Sequence, residues 1–205
     1  MTGSVREPVL LLFAAIAGLI VSGIGPHDRL TWVLEVLPIL IGFPILIATF
    51  TRFRLTPLLY RLIFLHALIL MIGGHYTYAE VPAGFWVQDM FDLARNPYDR
   101  LGHLAQGFIP AILAREILLR RTPLTRGGWL FALVTAVCLA FSAFYELTEW
   151  AAALALDQSA DAFLGTQGDP WDTQWDMFLA LIGALAAQIS LGRLHDRQMA
   201  RIEAA

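Results

Sequence analysis

The sequence predicts an all-α fold, a polytopic membrane bundle of six transmembrane helices with both termini cytoplasmic. Composition is the first observation behind it: 58% of the residues are hydrophobic and only 15% charged, with positive mean hydropathy. Such values mark a membrane protein rather than a large soluble core. The second observation is length. A span needs ~20 mostly apolar residues, and runs of that kind fall at about 8–24, 32–50, 57–75, 100–119, 129–155 and 173–192. Runs this continuous are helical, because lipid leaves no other partner for the backbone than the helix's own carbonyls.

Charge asymmetry is the third observation. All 14 basic residues are arginine. Arg6 precedes span one; Arg52, Arg54 and Arg61 flank the turn between spans two and three. Arg115, Arg120, Arg121 and Arg126 surround the next such turn, and Arg193, Arg197 and Arg201 follow span six. Arg29, Arg95 and Arg100 alone lie in the other connections. Positive residues favour the cytoplasmic side, so these groups place both termini inside. Asp28, Glu80, Asp89, Asp92, Asp99, Asp157, Asp161, Asp169 and Asp172 lean the other way. The whole chain, residues 1–205, reads as a single transmembrane domain.

Arg6 before span one resembles the start of a signal peptide, but no small-x-small cleavage site follows. Its removal would leave an odd number of spans, so it is kept as a helix. Gly25-Pro26-His27-Asp28 turns the chain into span two, and Arg52 through Pro57 turns it into span three. The connection from Tyr76 to Tyr98 contains a helical pattern at about 84–95. Trp86, Val87, Met90, Phe91 and Ala94 share one face, and Gln88, Asp89, Asp92 and Arg95 the other. This outer helix lies in the membrane interface or packs on the bundle as a loop helix; either way it roofs the neighbouring spans. Thr122-Pro123 through Gly127-Gly128 is a turn, and Asp157 to Trp171 is a longer connection with turn residues before span six. Cys138, the single cysteine, sits mid-span and reads as a small packing residue.

Ionisable residues converge on the outer ends of these spans, where burial is expensive. Asp99, His103, Gln106 and Pro110 form one stripe on span four. Ser142, Glu146 and Glu149 share a face of span five, with Glu146 roughly 25 Å along the helix from Trp129. Asp172 and Asp176 open span six, and His75 ends span three. Glutamates three residues apart with aspartates nearby cannot all stay ionised in a poorly hydrated cleft, so protons or a cation balance them. Imidazole with carboxylates suits Zn, Mn or Fe, and carboxylates alone suit Mg or Ca. The expected metal ligands are His103, Glu146, Glu149 and Asp176. Asp172 and Asp99 are the candidate catalytic carboxylates, Asp172 as a general base. His75, Arg100, Asp169 and Gln174 are further candidates, with Arg100 able to neutralise one carboxylate. Against this stands the plainer reading, in which Asp99 and Asp172 cap helices and the cluster is a structural polar network. Glu35 and His66 are read as structural singles.

On these motifs the chain resembles the YjdF family of bacterial inner-membrane proteins. The matching stretches are Gly74-His75-Tyr76-Thr77-Tyr78, Asn96 through His103, Tyr145-Glu146-x-x-Glu149-Trp150, and Gly168-Asp169-x-Trp171-Asp172-x-Gln174-Trp175-Asp176-Met177. More distantly it is similar to VanZ-like proteins, which have an Asp-basic-x-x-His element and a Glu-x-x-Gln element. Here Glu149 stands where those proteins have Gln. The resemblance implies a bacterial inner-membrane location, and no activity.

The leading functional expectation is a metal-dependent membrane hydrolase or transferase acting at the outer, periplasmic face. Its partners would be membrane lipids and a lipid-linked envelope substrate; no nucleic acid is expected. The alternatives are an ion- or proton-coupled transporter and a non-catalytic structural or envelope accessory protein. A transporter would need polarity continuing to the cytoplasmic side, and the inner halves of the spans show little beyond Thr and Ser.

Overall fold

The computed structural model describes residues 5–156 and 166–204, and these hold seven α-helices and no strand. Asp157 and Asp161 of the second long connection lie outside the described residues. Helix α1 is Arg6–Ser22 and α2 is Arg29–Thr49. Asp28 caps α2, its carboxylate accepting from the Thr31 amide at 2.7 Å, which satisfies one of the free amides at a helix start. Helix α3, Pro57–Tyr76, begins with Thr56 as cap and Pro57 in the first turn, where a missing N–H costs nothing. A 3-10 turn at Tyr78–Glu80 leads to α4, Pro82–Phe91. Helices α5, Tyr98–Arg121, α6, Gly128–Leu156, and α7, Asp172–Glu203, complete the bundle.

Two boundaries differ from the sequence reading. The outer helix stops at Phe91, not at residue 95, because Asp92 takes a left-handed conformation at φ 50° and Leu93 N–H returns to the Gln88 carbonyl at 2.9 Å. That closure ends helices, and it leaves Arg95 in a non-helical stretch. In the other direction, α7 runs well past residue 192. Hydropathy fades there, but His195 and Met199, one turn apart, are both buried, so an amphipathic face keeps the helix packed.

Helices α2, α3, α6 and α7 are long and apolar enough to cross a membrane. Helix α1 has 17 residues, and α5 is diluted by its polar stripe, including Asp99, His103, Gln106, Arg115 and Glu116. Outward-facing residues are apolar along the bundle: Phe13, Ile41, Phe141, Phe144 and Ile189 are all exposed. Helix α4 touches the bundle through buried Gly84, against the Asn96 side chain, while Trp86, Met90 and Phe91 face outward.

The site depends on how α5 meets α7, the most extensive helix pair in the bundle. The two run in the same direction, and their backbones touch. A methyl group on Gly107 would overlap the Ala180 carbonyl, and one on Gly183 would overlap the Leu104 carbonyl. Only glycine allows this approach. Below the crossing, Leu59, Ile112, Leu130, Val134 and Cys138 form an apolar core with Ala184 and Ala187.

Candidate functional site

Three helices deliver carboxylates to one end of the bundle. Asp99 and His103 are one turn apart on α5, Glu146 and Glu149 one turn apart on α6, and Asp172 and Asp176 one turn apart on α7. All six are buried. The close crossing of α5 and α7 faces their stripes toward each other, with His103 in the middle.

The imidazole divides its neighbours into two groups. On its Nδ1 side lie the Gln106 Oε1 at 3.1 Å and the Glu146 Oε1 at 3.7 Å. Both are acceptors, so Nδ1 carries a proton. The Nε2 side faces Asp99 Oδ1 at 3.5 Å and Asp176 Oδ2 at 3.8 Å. These separations are long for an ionic hydrogen bond. They match ligand atoms around one metal ion, which sit about 3–4 Å apart when the bonds are ~2.0–2.3 Å. Asp99, His103 and Asp176 each offer such an atom, all within 4.8 Å of one another. Two buried oxygens beside the ring have no hydrogen-bond partner, Asp176 Oδ1 on the Nε2 side and Glu146 Oε1 on the Nδ1 side.

The expected ligand set is therefore split. One ion cannot use both nitrogens of a ring, so Glu146 stands across the imidazole from Asp176. Asp99, read from sequence as catalytic, lies at ligand spacing from His103 and Asp176. Glu149 is buried one turn beyond Glu146. Asp172 is engaged by the Arg95 guanidinium and is poorly placed to act as a base. Arg95 also bonds Asp99 Oδ2 at 3.2 Å and lies 3.8 Å from Asp169 Oδ2. Arg100 pairs with Asp169 at 3.1 Å and lies over the Trp175 ring. Gln174 is exposed. His75 does not join the cluster; its Nδ1 donates to the Ser22 carbonyl at 2.8 Å and ties α3 to α1.

Arg95, expected on the polar face of an amphipathic helix, instead leaves the helix and joins the cluster. Glu35, expected as a structural single, is buried and accepts from the Tyr145 hydroxyl at 3.4 Å, and Tyr145 packs edge-on to His103. Two arginines, Arg95 and Arg100, thus face seven carboxyl groups. Protons or a cation balance the excess.

A second polar cluster lies at the opposite end, where little polarity was expected. Glu116 is fully buried and accepts from Thr56 N at 3.1 Å, Thr56 Oγ1 at 2.8 Å, His195 Nε2 at 2.9 Å and Arg120 at 2.7 Å. Arg115 can only donate, so at 2.9 Å it fixes His195 Nδ1 as the acceptor and Nε2 as the protonated nitrogen. The i, i+4 pair Glu116 and Arg120 was the one legible signal; His195 and Thr56 arrive from other helices.

Residues 7–197 match the family model described as "Predicted membrane protein (DUF2238)". The chain belongs to this family. It is also 59% identical over 183 residues to the "Inner membrane protein YjdF" of Escherichia coli (strain K12), covering 89% of this chain and 88% of that protein. No solved structure matches. The likeness to VanZ-like proteins rests on the motifs alone.

Proposed function

We propose that this family member is an inner-membrane protein with six spans and both termini cytoplasmic, acting as a metal-dependent hydrolase or transferase at the outer face. The relative's name as an inner membrane protein supports the location. The gathering of Arg52, Arg54, Arg61, Arg115, Arg120 and Arg121 at one end of the bundle supports the orientation. With α1 and α5 counted beside the four long apolar helices, the chain crosses six times, and α4 lies in the outer interface.

One observation carries the site: a buried imidazole nitrogen facing two carboxylates at metal-ligand spacing, with Asp176 Oδ1 left unpartnered. A divalent ion held by Asp99, His103 and Asp176 would activate water or polarise a phosphoryl or acyl oxygen. Gln106 holds the ring's other nitrogen and so aims Nε2. Glu146, with an unpartnered oxygen beside the ring, is better placed than Asp172 to take up a proton. A lipid-linked substrate fits a one-sided site at the membrane surface.

The Arg95 ion pairs favour a second reading, a purely structural network that locks α5 to α7. Transport is disfavoured, because the glycine-mediated contact and the apolar core separate the two polar clusters. Metal analysis of detergent-purified protein decides between metal site and network. A stoichiometric divalent ion that is lost in Asp176→Asn while the fold persists supports the metal site. No ion in the wild type, with Asp176→Asn as stable as the parent, leaves the network.

A further inference from the structure

We propose that Arg95 is a built-in counter-cation that competes with a divalent ion for Asp99, keeping the site folded while it holds no metal. The inference rests on reading Asp99, His103 and Asp176 as metal ligands, and concerns how that site is regulated. Its basis is the division of one carboxylate. Asp99 Oδ2 accepts from Arg95 at 3.2 Å while its Oδ1 faces His103 Nε2 at 3.5 Å. The same group thus serves the guanidinium and the candidate ion position. Arg95 reaches across to α7 as well, through Asp172, and approaches Asp169. Its side chain is only 9% exposed, so solvent screens its charge little.

Arg95 is delivered by a short non-helical stretch whose placement is fixed. The Gln167 side chain pairs with both backbone groups of Asn96, at 3.0 Å each way. The Asn96 side chain bonds the Val81 carbonyl and accepts from Tyr98 N. Arginine stays charged at all accessible pH values, so this cation is permanent. It neutralises Asp99 and Asp172, whose burial unpaired would be costly. It also repels any ion held a few ångströms away and shares its ligand. A residue that merely aimed Asp99 would strengthen metal binding; a competing cation weakens it. The two roles predict opposite signs.

Mn2+ titration of the full-length protein in detergent, by thermal shift and binding, separates them. Arg95→Gln is expected to lower Tm in chelator, to bind Mn2+ about tenfold more tightly or better, and to show a larger Mn2+-induced rise in Tm. Arg95→Lys keeps the charge and stays near wild type. If Arg95→Gln does not fold, the Arg95→Gln/Asp172→Asn double variant removes the cation together with the Asp172 charge, leaving Asp99 to the ion. That variant should bind Mn2+ at least as tightly as wild type. Weaker or unchanged binding in Arg95→Gln, or a tenfold loss in the double variant, overturns the proposal while leaving the metal site intact. Binding by Arg95→Gln alone, with none by wild type, supports it. No Mn2+ uptake by any form overturns both this proposal and the metal-site reading.

Discussion

At the residue scale, the site turns on the tautomer of His103. Gln106 accepts the Nδ1 proton at 3.1 Å, so Gln106→Leu should free the ring and weaken divalent-ion affinity by about 10–100-fold, the usual cost of losing such a support. Gln106→Glu, which retains the acceptor, should lose much less; equal losses for the two would remove Gln106 from the account. A smaller, independent test concerns Asp28. The Thr31 amide holds its carboxyl below the ordinary value. A depressed folded-state pKa contributes stability above the unfolded value, near 3.9, and that contribution fades as pH falls through the lower folded value. Asp28→Ala should therefore cost about 1 kcal/mol at neutral pH, and the difference from wild type should shrink below about pH 4. The titratable residues of the site were legible because charge within an apolar run is conspicuous. Their division by the imidazole was not, since one face of a helix does not say which ring nitrogen meets which carboxylate. Arg95 was missed for a local reason: the Asp92 turn that takes it off the helix has no glycine to announce it.

At the element scale, the pairing of α5 with α7 sets both polar clusters. Gly183→Leu would drive a side chain into the Leu104 carbonyl and the Phe108 amide. The helices must then part, and both metal affinity and Tm should fall, whereas Gly42→Ala on α2, which meets open space, should leave metal affinity unchanged. At the far end, Thr56, Arg120 and His195 all donate to Glu116. Glu116→Ala should cost on the order of 3–5 kcal/mol, the range for removing one member of a buried charged pair. Glu116→Gln should also destabilise, because its amide would present a donor to donors. A neutral outcome for both in thermal unfolding would contradict the buried lock. Helix positions followed from apolar runs within a few residues, as Pro57–Tyr76 illustrates. The lock was invisible, because Thr56, Glu116 and His195 come from segments 60 and 79 residues apart and nothing in a single sequence pairs them.

At the scale of the whole molecule, sidedness carries the functional reading. Apolar length supports four crossing helices; the proposal of six spans and of their orientation rests on the arginine distribution. In a Cys138→Ala background, a cysteine introduced at position 92 should be labelled from outside intact cells. Cysteines at 124 and 199 should be labelled only after permeabilisation. Outside labelling at 124 would reverse the bundle and turn the carboxylate cluster toward the cytoplasm. The central claim is that His103 Nε2 shares a divalent ion with Asp99 and Asp176, and pulsed EPR on Mn2+-loaded protein tests it most directly. The account predicts nitrogen coupling from one imidazole, absent in His103→Gln while the fold is retained. Bound Mn2+ without nitrogen coupling, or coupling that survives in His103→Gln, would contradict it.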